Sequence, residues 1–449
     1  MPELIDLAQS LAERAQRNEQ VEAYVTHERD FYVKAYEGEV EAISSAEPRG
    51  AGVRLISAGR VVFAYTTDLT ADGVAAVLDH ARENAASATP DDAAGMAPAW
   101  GAAPEEVPGL VDDAQTQVGP DAKAAFTIEL ERATRAVDPR IRTEEAIYSD
   151  SDAEVAIATS TGVCGSYRRT DAWCYSVAIA EDGDDTQVAF EFDLARGLGS
   201  LDAESIAERA AQRALSILGA QKIPSARMPV VFDPYTSGQF LGVLAAALTG
   251  EAVQKGRSLF AGRVGEQVAS PSLSLIDDGR VDGAPGSAPW DAEGVPTRRT
   301  AVIEEGTLKS FLYDVTSARR EGRGSTGNAT RAGFKSAPHA APTNLAFDST
   351  GESRDEILRA AGRALLVQDF HGVHSGANPI SGDFSVGATG RLIEDGKLTQ
   401  PVREVTIAAP MLEILARITA VGTDRRWLPF GGSYGGATTL VSEMTVAGA

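Results

Sequence analysis

The chain has 449 residues, 43% of them hydrophobic and 23% charged, enough at roughly 150 residues per domain for two large or three ordinary units. Sixty-four acidic residues against 41 basic ones leave a formal charge of −23, a field that repels phosphate backbones and anionic lipid and disfavours nucleic-acid binding. No apolar run approaches the ~18 to 20 residues of a membrane-spanning helix. The start, Met1-Pro2-Glu3-Leu4-Ile5-Asp6, carries no basic region ahead of an apolar one, and Cys164 and Cys174 are the only cysteines. Both features fit a cytoplasmic, reducing environment.

Leu4, Leu7, Ala8 and Leu11 recur at helical spacing and predict a first helix. Short β-rich runs follow at Val21 to Val25, Phe31 to Tyr36 and Gly52 to Ile56, broken by turn signals at Glu37-Gly38, Pro48 and Ala58-Gly59, the pattern of an antiparallel meander. Helical spacing returns from Thr70 to Ala86, and an Ala-, Pro-, Asp- and Gly-rich segment from Ala88 to Pro108 reads as a linker. A second unit opens at Gly119-Pro120, with a helix to Val137, strands at Thr143 to Ser149, Glu154 to Thr159, Trp173 to Glu181 and Gln187 to Leu194, and a closing helix from Asp202 to Leu218.

Ile223-Pro224-Ser225 marks the next boundary, after which the chain is glycine-rich and mostly β. Hairpin turns are expected at Glu304-Glu305-Gly306-Thr307 and Glu394-Asp395-Gly396-Lys397, because glycine accepts positive φ without a Cβ clash. The irregular stretches Gly279 to Pro296 and Ser317 to Pro342 are of a length more often functional than idle. The fold class is therefore α+β. An N-terminal α+β domain spans residues 1–87, a linker 88–118, a central α+β domain 119–222 and a β-rich C-terminal domain with long loops 223–449. The first two are helix-plus-meander layers.

Four patterns invite a chemical reading. Gly431-Gly432-Ser433-Tyr434-Gly435 matches G-x-S-x-G, but a strand is predicted after it where a nucleophile elbow needs a helix, and no histidine follows. His371 and His374 stand three apart without a helical face to align them, and two ligands do not make a catalytic zinc site. Between Val315 and Pro342, Arg319, Arg320, Arg323, Arg331 and Lys335 face one acid, Glu321, which reads either as a mobile clamp for carboxylates or as a solvated loop. The stretch His371 to Gly387 alternates polar residues with glycines. It could offer an exposed sheet edge to an extended peptide or form a tight turn network. Candidate peptide-binding or interface residues are Arg323, Ser325, Asn328, His371, His374, Ser375, Asn378, Ser381 and Asp383.

Val367-Gln368-Asp369-Phe370-His371-Gly372 leading into Gly382-Asp383-Phe384-Ser385, then Pro401-Val402-Arg403-Glu404, Phe260-Ala261-Gly262-Arg263-Val264-Gly265, Ser325-Thr326-Gly327-Asn328 and the ending Glu443-Met444-Thr445-Val446-Ala447-Gly448 resemble the TldD/PmbA family, nearest its PmbA (TldE) branch. The resemblance spans nearly the whole chain. It implies a TldD-type subunit carrying zinc on a helical H-E-x-x-x-H motif and a later cysteine, paired with a TldE-type subunit in a peptidase for extended or unfolded peptides. In this sequence a gapless match places Leu241, Gly242 and Ala246 at ligand, base and ligand, within the aliphatic helix Gln239 to Leu248, and no cysteine lies near Gly431 to Gly436. The expectation is a metal-free, non-catalytic subunit, without cofactor of its own, that completes a heterodimeric zinc metallopeptidase with a TldD-like partner. The alternative is an independent peptide- or protein-binding module, possibly homodimeric.

Overall fold

The computed structural model describes residues 3–448. Helix α1 (Leu4–Ala12) is followed by strands β1 (Glu19–Tyr36), β2 (Glu39–Ala46), β3 (Arg49–Ser57) and β4 (Arg60–Thr66) and helix α2 (Ala71–Ala85). After the linker come α3 (Pro120–Ala136), β5 (Ile141–Thr159), β6 (Cys164–Asp182), β7 (Asp185–Ala195) and α4 (Ala203–Leu215). Runs that the sequence divides are continuous here: Val21 to Val25 and Phe31 to Tyr36 belong to one 18-residue strand, and Thr143 to Ser149 and Glu154 to Thr159 to one of 19 residues. Polar residues such as Glu28 and Asp30 end no strand, because neighbouring strands satisfy their backbone groups.

The N-terminal and central units share one sheet, ordered β4-β3-β1-β5-β6-β7 with β2 also on β1. The joint is β1 against β5, antiparallel from Glu22↔Thr159 to Ala35↔Ala146. Period-two alternation assigns the faces. Ala156 and Ala158 pack with α1 and α2 through Leu7, Leu11, Val74 and Leu78, whereas Val155 and Ile157 pack with Trp290, Val315 and Phe334 of the C-terminal domain. Residues 22–26 of β1, which pair with this part of β5, are accordingly buried without interruption.

In the C-terminal domain, strands Lys397–Ala408, Ser385–Glu394, Ala364–His371, Ala226–Phe232 and Thr439–Ala447 pair in that order, and the first also pairs with the last, so the sheet closes on itself. Both expected hairpin turns form, with φ +47° and +78° at Glu305 and Gly306, and +52° and +76° at Asp395 and Gly396. Helix α5 (Pro234–Ala245) packs Phe240, Leu241 and Leu244 into the core. It starts close against the strand Tyr434–Gly436: a Cβ on Gly436 would stand 1.9 Å from Pro234 O, so only glycine admits this approach.

Candidate functional site

Helix α5 carries the positions where the family resemblance places a metal motif. Asp233 caps it, accepting from Thr236 N at 2.9 Å, and Pro234 occupies its first turn, where the missing N–H costs nothing. Arg213 of α4 donates to the same Asp233 at 2.9 Å, tying the helix N-terminus to the central domain. Leu241 and Leu244 are fully buried, and Val243, half-buried, packs against the same core.

Gly242 and Ala246 face outward and line a cleft of about 430 Å³ together with Glu251, Lys255, Arg257, His339, Gly431 and Tyr434. The fold thus brings the aliphatic helix and the Gly431 to Gly436 turn to one place. A Cβ on Gly242 would stand 3.2 Å from Tyr434 Cε2, so the tyrosine ring occupies the space of a side chain at 242. Tyr434 Oη donates to Gly431 O at 3.1 Å, and burial pushes its phenol pKa up.

Catalytic zinc needs three protein ligands and an open position. Of the residues lining this cleft, His339 and Glu251 are donors, and Glu251 is bound by Lys255. Among the described residues no group of three His, Cys, Asp or Glu could hold a metal ion. Cys164 and Cys174 lie on β6, in the central sheet: Cys164 Sγ accepts from Gln9 Nε2 at 2.9 Å, and burial pushes the Cys174 thiol up to about 12. These side chains do not fit a zinc centre.

The His371 to Ser385 stretch forms a closed turn. The Phe370 and Phe384 rings, 5.5 Å apart, flank it, and Phe384 meets Phe240 of α5 at 5.4 Å. Asn378 Oδ1 accepts from Ile380 N at 2.9 Å and Ser381 N at 3.3 Å, Ser381 Oγ donates to Asp383 Oδ2 at 2.6 Å, and Ser375 Oγ donates to Gly372 O at 3.1 Å. Groups that could have served a peptide backbone serve each other. His371 Nε2 lies 2.8 Å from Thr389 Oγ1 and lines a cavity of about 320 Å³ with Asp369 and Arg213. His374 is exposed and lines no part of that cavity.

Of the five basic residues, Arg319, Arg320, Arg323 and Lys335 are exposed, as in the solvated reading, whereas the Arg331 side chain is buried and fits neither a mobile clamp nor a solvated loop. Arg331 is 1% exposed and donates to Glu22 of β1 at 2.6 Å, and Arg319 Nε donates to Ala93 O at 3.0 Å. Arg320 pairs with Asp91. These cations fasten the C-terminal domain to the N-terminal domain and its linker. Arg323 lies over the Tyr313 ring, 4.8 Å from its centroid. Ser325 Oγ donates to Tyr313 O at 2.9 Å, and buried Asn328 donates to Asp277 at 2.6 Å.

A larger cavity, of about 530 Å³, lies between the shared sheet and the C-terminal loops. Arg169, Asp171 and Trp173 of β6 line it, as do Trp290 and Asp291 of the Gly279 to Pro296 loop, and Thr330 and Arg331. None of residues 371–385 reaches it. Sequence reasoning missed this site. The unusual lengths of the 279–296 and 317–342 stretches, both of which line it, were its visible signal, since β6 gives no hint of which residues face the C-terminal domain.

Comparison with known proteins agrees with this architecture. Residues 21–85, 113–218 and 225–448 match, in turn, domain 1, the central domain and the C-terminal domain of PmbA/TldA metallopeptidases. The chain belongs to the PmbA/TldD metallopeptidase family. It is similar to Metalloprotease PmbA of Escherichia coli O157:H7, at 28% identity over 92% of this chain and 88% of that protein. It is also similar to a TldD homologue of Haemophilus influenzae, at 29% identity over 71% and 70%. Crystal structures with the same fold are those of a candidate modulator of a DNA gyrase from Thermotoga maritima (TM-score 0.88, 26% identity, 98% and 99% coverage) and of TldE from Thermococcus kodakarensis (0.88, 24%, 99% and 99%). No helix among the described residues is long and apolar enough to cross a membrane.

Proposed function

We propose that this chain is a TldE-like, metal-free subunit that completes a peptidase whose zinc and catalytic base reside on a TldD-like partner. The reading rests on the cleft beside α5, which keeps an open volume where the family resemblance places the metal while presenting Gly242, Ala246 and the Tyr434 ring to it. Aliphatic groups neither bind zinc nor activate water. The chemistry left to this subunit is to shape a channel and guide an extended peptide. Phe430, at the edge of the cleft turn, and Ile380 are about half exposed, and apolar groups of this kind suit contact with a partner or a peptide. The cytoplasm is the proposed location, given thiols kept apart and unpaired.

Mixing the chain with a TldD-like protein tests this. A complex on size-exclusion chromatography at micromolar concentration, with peptidase activity that neither protein has alone, is the expected result. Absence of both would transfer the case to an independent binding module, a reading favoured by the gyrase-modulator description of the Thermotoga maritima structure.

A further inference from the structure

The interdomain cavity is lined by three guanidinium groups, Arg169, Arg196 and Arg331, and by the carboxyls of Glu28, Asp171 and Asp291. Arg169 and Arg196 share a single acid: Arg169 Nε lies 2.6 Å and Arg196 Nη1 2.5 Å from Asp171. Arg331 reaches Glu22 behind the cavity wall, and Glu22 is also bound by Arg54. Arg331 retains two buried nitrogens, Nε and Nη1, and Arg196 one, Nε, without a hydrogen-bond acceptor. Buried donors of this kind are normally satisfied.

Burial biases the other two carboxyls, Asp291 and Glu28, towards their neutral forms. Asp291 already accepts three backbone N–H groups, from Glu293, Val295 and Ala329, each at 2.9 Å. Burial, and then the neighbouring Glu293, push its carboxyl up to about 7. Burial also raises Glu28. Arg169 and Arg196 thus share Asp171 as their ion-paired carboxylate, and Arg331 shares Glu22 with Arg54.

The rest of the wall is aromatic. Tyr167 meets Trp290 edge-on at 4.8 Å between ring centroids, and the Tyr24 ring lies beneath Arg331 at 4.2 Å. The cavity also adjoins the α5 cleft. Pro342 lines both, and the turn that divides them contributes Gly432 and Ser433 to the cavity and Gly431 and Tyr434 to the cleft.

We propose that this cavity is a carboxylate-recognition pocket, receiving the anionic group of a peptide whose neighbouring residues lie along the α5 cleft. Arg169, Arg196 and Arg331 supply the positive field, and the aromatic walls lower the local dielectric, which strengthens charge-assisted hydrogen bonds. The proposal deepens the peptide-guiding role above and rests on it.

The experiment uses the isolated chain, without a partner, and three N-acetylated hexapeptides of alanine and phenylalanine: one with a free C-terminal carboxylate, its C-terminal amide, and the amide with one alanine replaced by glutamate. Calorimetry gives affinity, and the emission of Trp173 and Trp290 reports occupancy of the cavity. The free acid, the glutamate peptide or both should bind about tenfold more tightly than the neutral amide. Preference for the free acid alone identifies the chain terminus, and equal gain from glutamate identifies any carboxylate. Arg169→Gln and Arg196→Gln should each remove the gain.

Equal affinity for all three peptides, no binding of any at millimolar concentration, or an undiminished gain in folded R169Q and R196Q variants would overturn the pocket. Should a variant fail to fold, the wild-type comparison decides alone. An active mixture with a TldD-like protein but no carboxylate preference would remove the pocket and leave the subunit reading standing. A carboxylate preference with no complex would do the reverse.

Discussion

Arg331 Nη2 donates to Glu22 Oε1 at 2.6 Å, joining the C-terminal domain to β1 across 309 positions of sequence. Both side chains are at most 1% exposed. Burial pushes the Glu22 carboxyl up, and Arg54 and Arg331 more than offset this, leaving it below the ordinary range. Arg331→Ala removes one of the two cations on Glu22 and leaves it the buried bond to Arg54, so the loss is that of one charge-assisted hydrogen bond and not of a stranded charge. The variant is expected to destabilise the protein by about 1.5–3 kcal/mol. Urea unfolding measures this, and an unchanged midpoint would contradict the role given to the pair.

Leu244 is fully buried within the core around α5. Leu244→Asp places an unpaired carboxylate there and should cost several kcal/mol, about 3 or more. A melting temperature equal to that of the parent would mean that this face of the helix is not packed.

Asp291 provides a pH test. Its folded pKa is raised to about 7, against about 3.9 for an unfolded aspartate, so between these values the folded state holds the proton more tightly. Its contribution is full below about pH 4 and is lost as pH rises towards 7. Asp291→Asn removes this titration. The stability difference, parent minus variant, should therefore fall between pH 4 and 7, as followed by denaturant unfolding at several pH values. A difference that rises or stays flat would remove burial as the dominant influence on this group.

Ser433 sits in G-x-S-x-G but is 4% exposed and donates to Asn344 Oδ1 at 2.7 Å. It anchors a turn. Ser433→Ala should cost about 1 kcal/mol and leave the peptidase activity of the mixed subunits unchanged. A large loss of activity in a folded variant would restore it as a nucleophile.

Elemental analysis of the purified chain should find no stoichiometric zinc, since the cleft beside α5 offers His339 and a Glu251 already bound by lysine. One zinc per chain that disappears in the His371→Ala, His374→Ala double variant would overturn this.

What the sequence by itself determined is the local order. Apolar spacing marks α1 and α2, Glu-Gly and Asp-Gly pairs mark the two hairpins, and the aliphatic run at 239–248 marks a helix that has no donors to offer a metal. These follow from properties of neighbouring residues, which a linear reading captures. Only the tertiary structure decided that β1 and β5 merge two units into one sheet, that Arg331 is a buried tie and not a free clamp, and that Asn378, Ser381 and Asp383 satisfy one another. It also placed Arg169 and Arg196 of the central domain opposite Trp290 of the third. Those outcomes depend on which residues meet across hundreds of positions, and burial and pairing, unlike periodicity, are set by the partner.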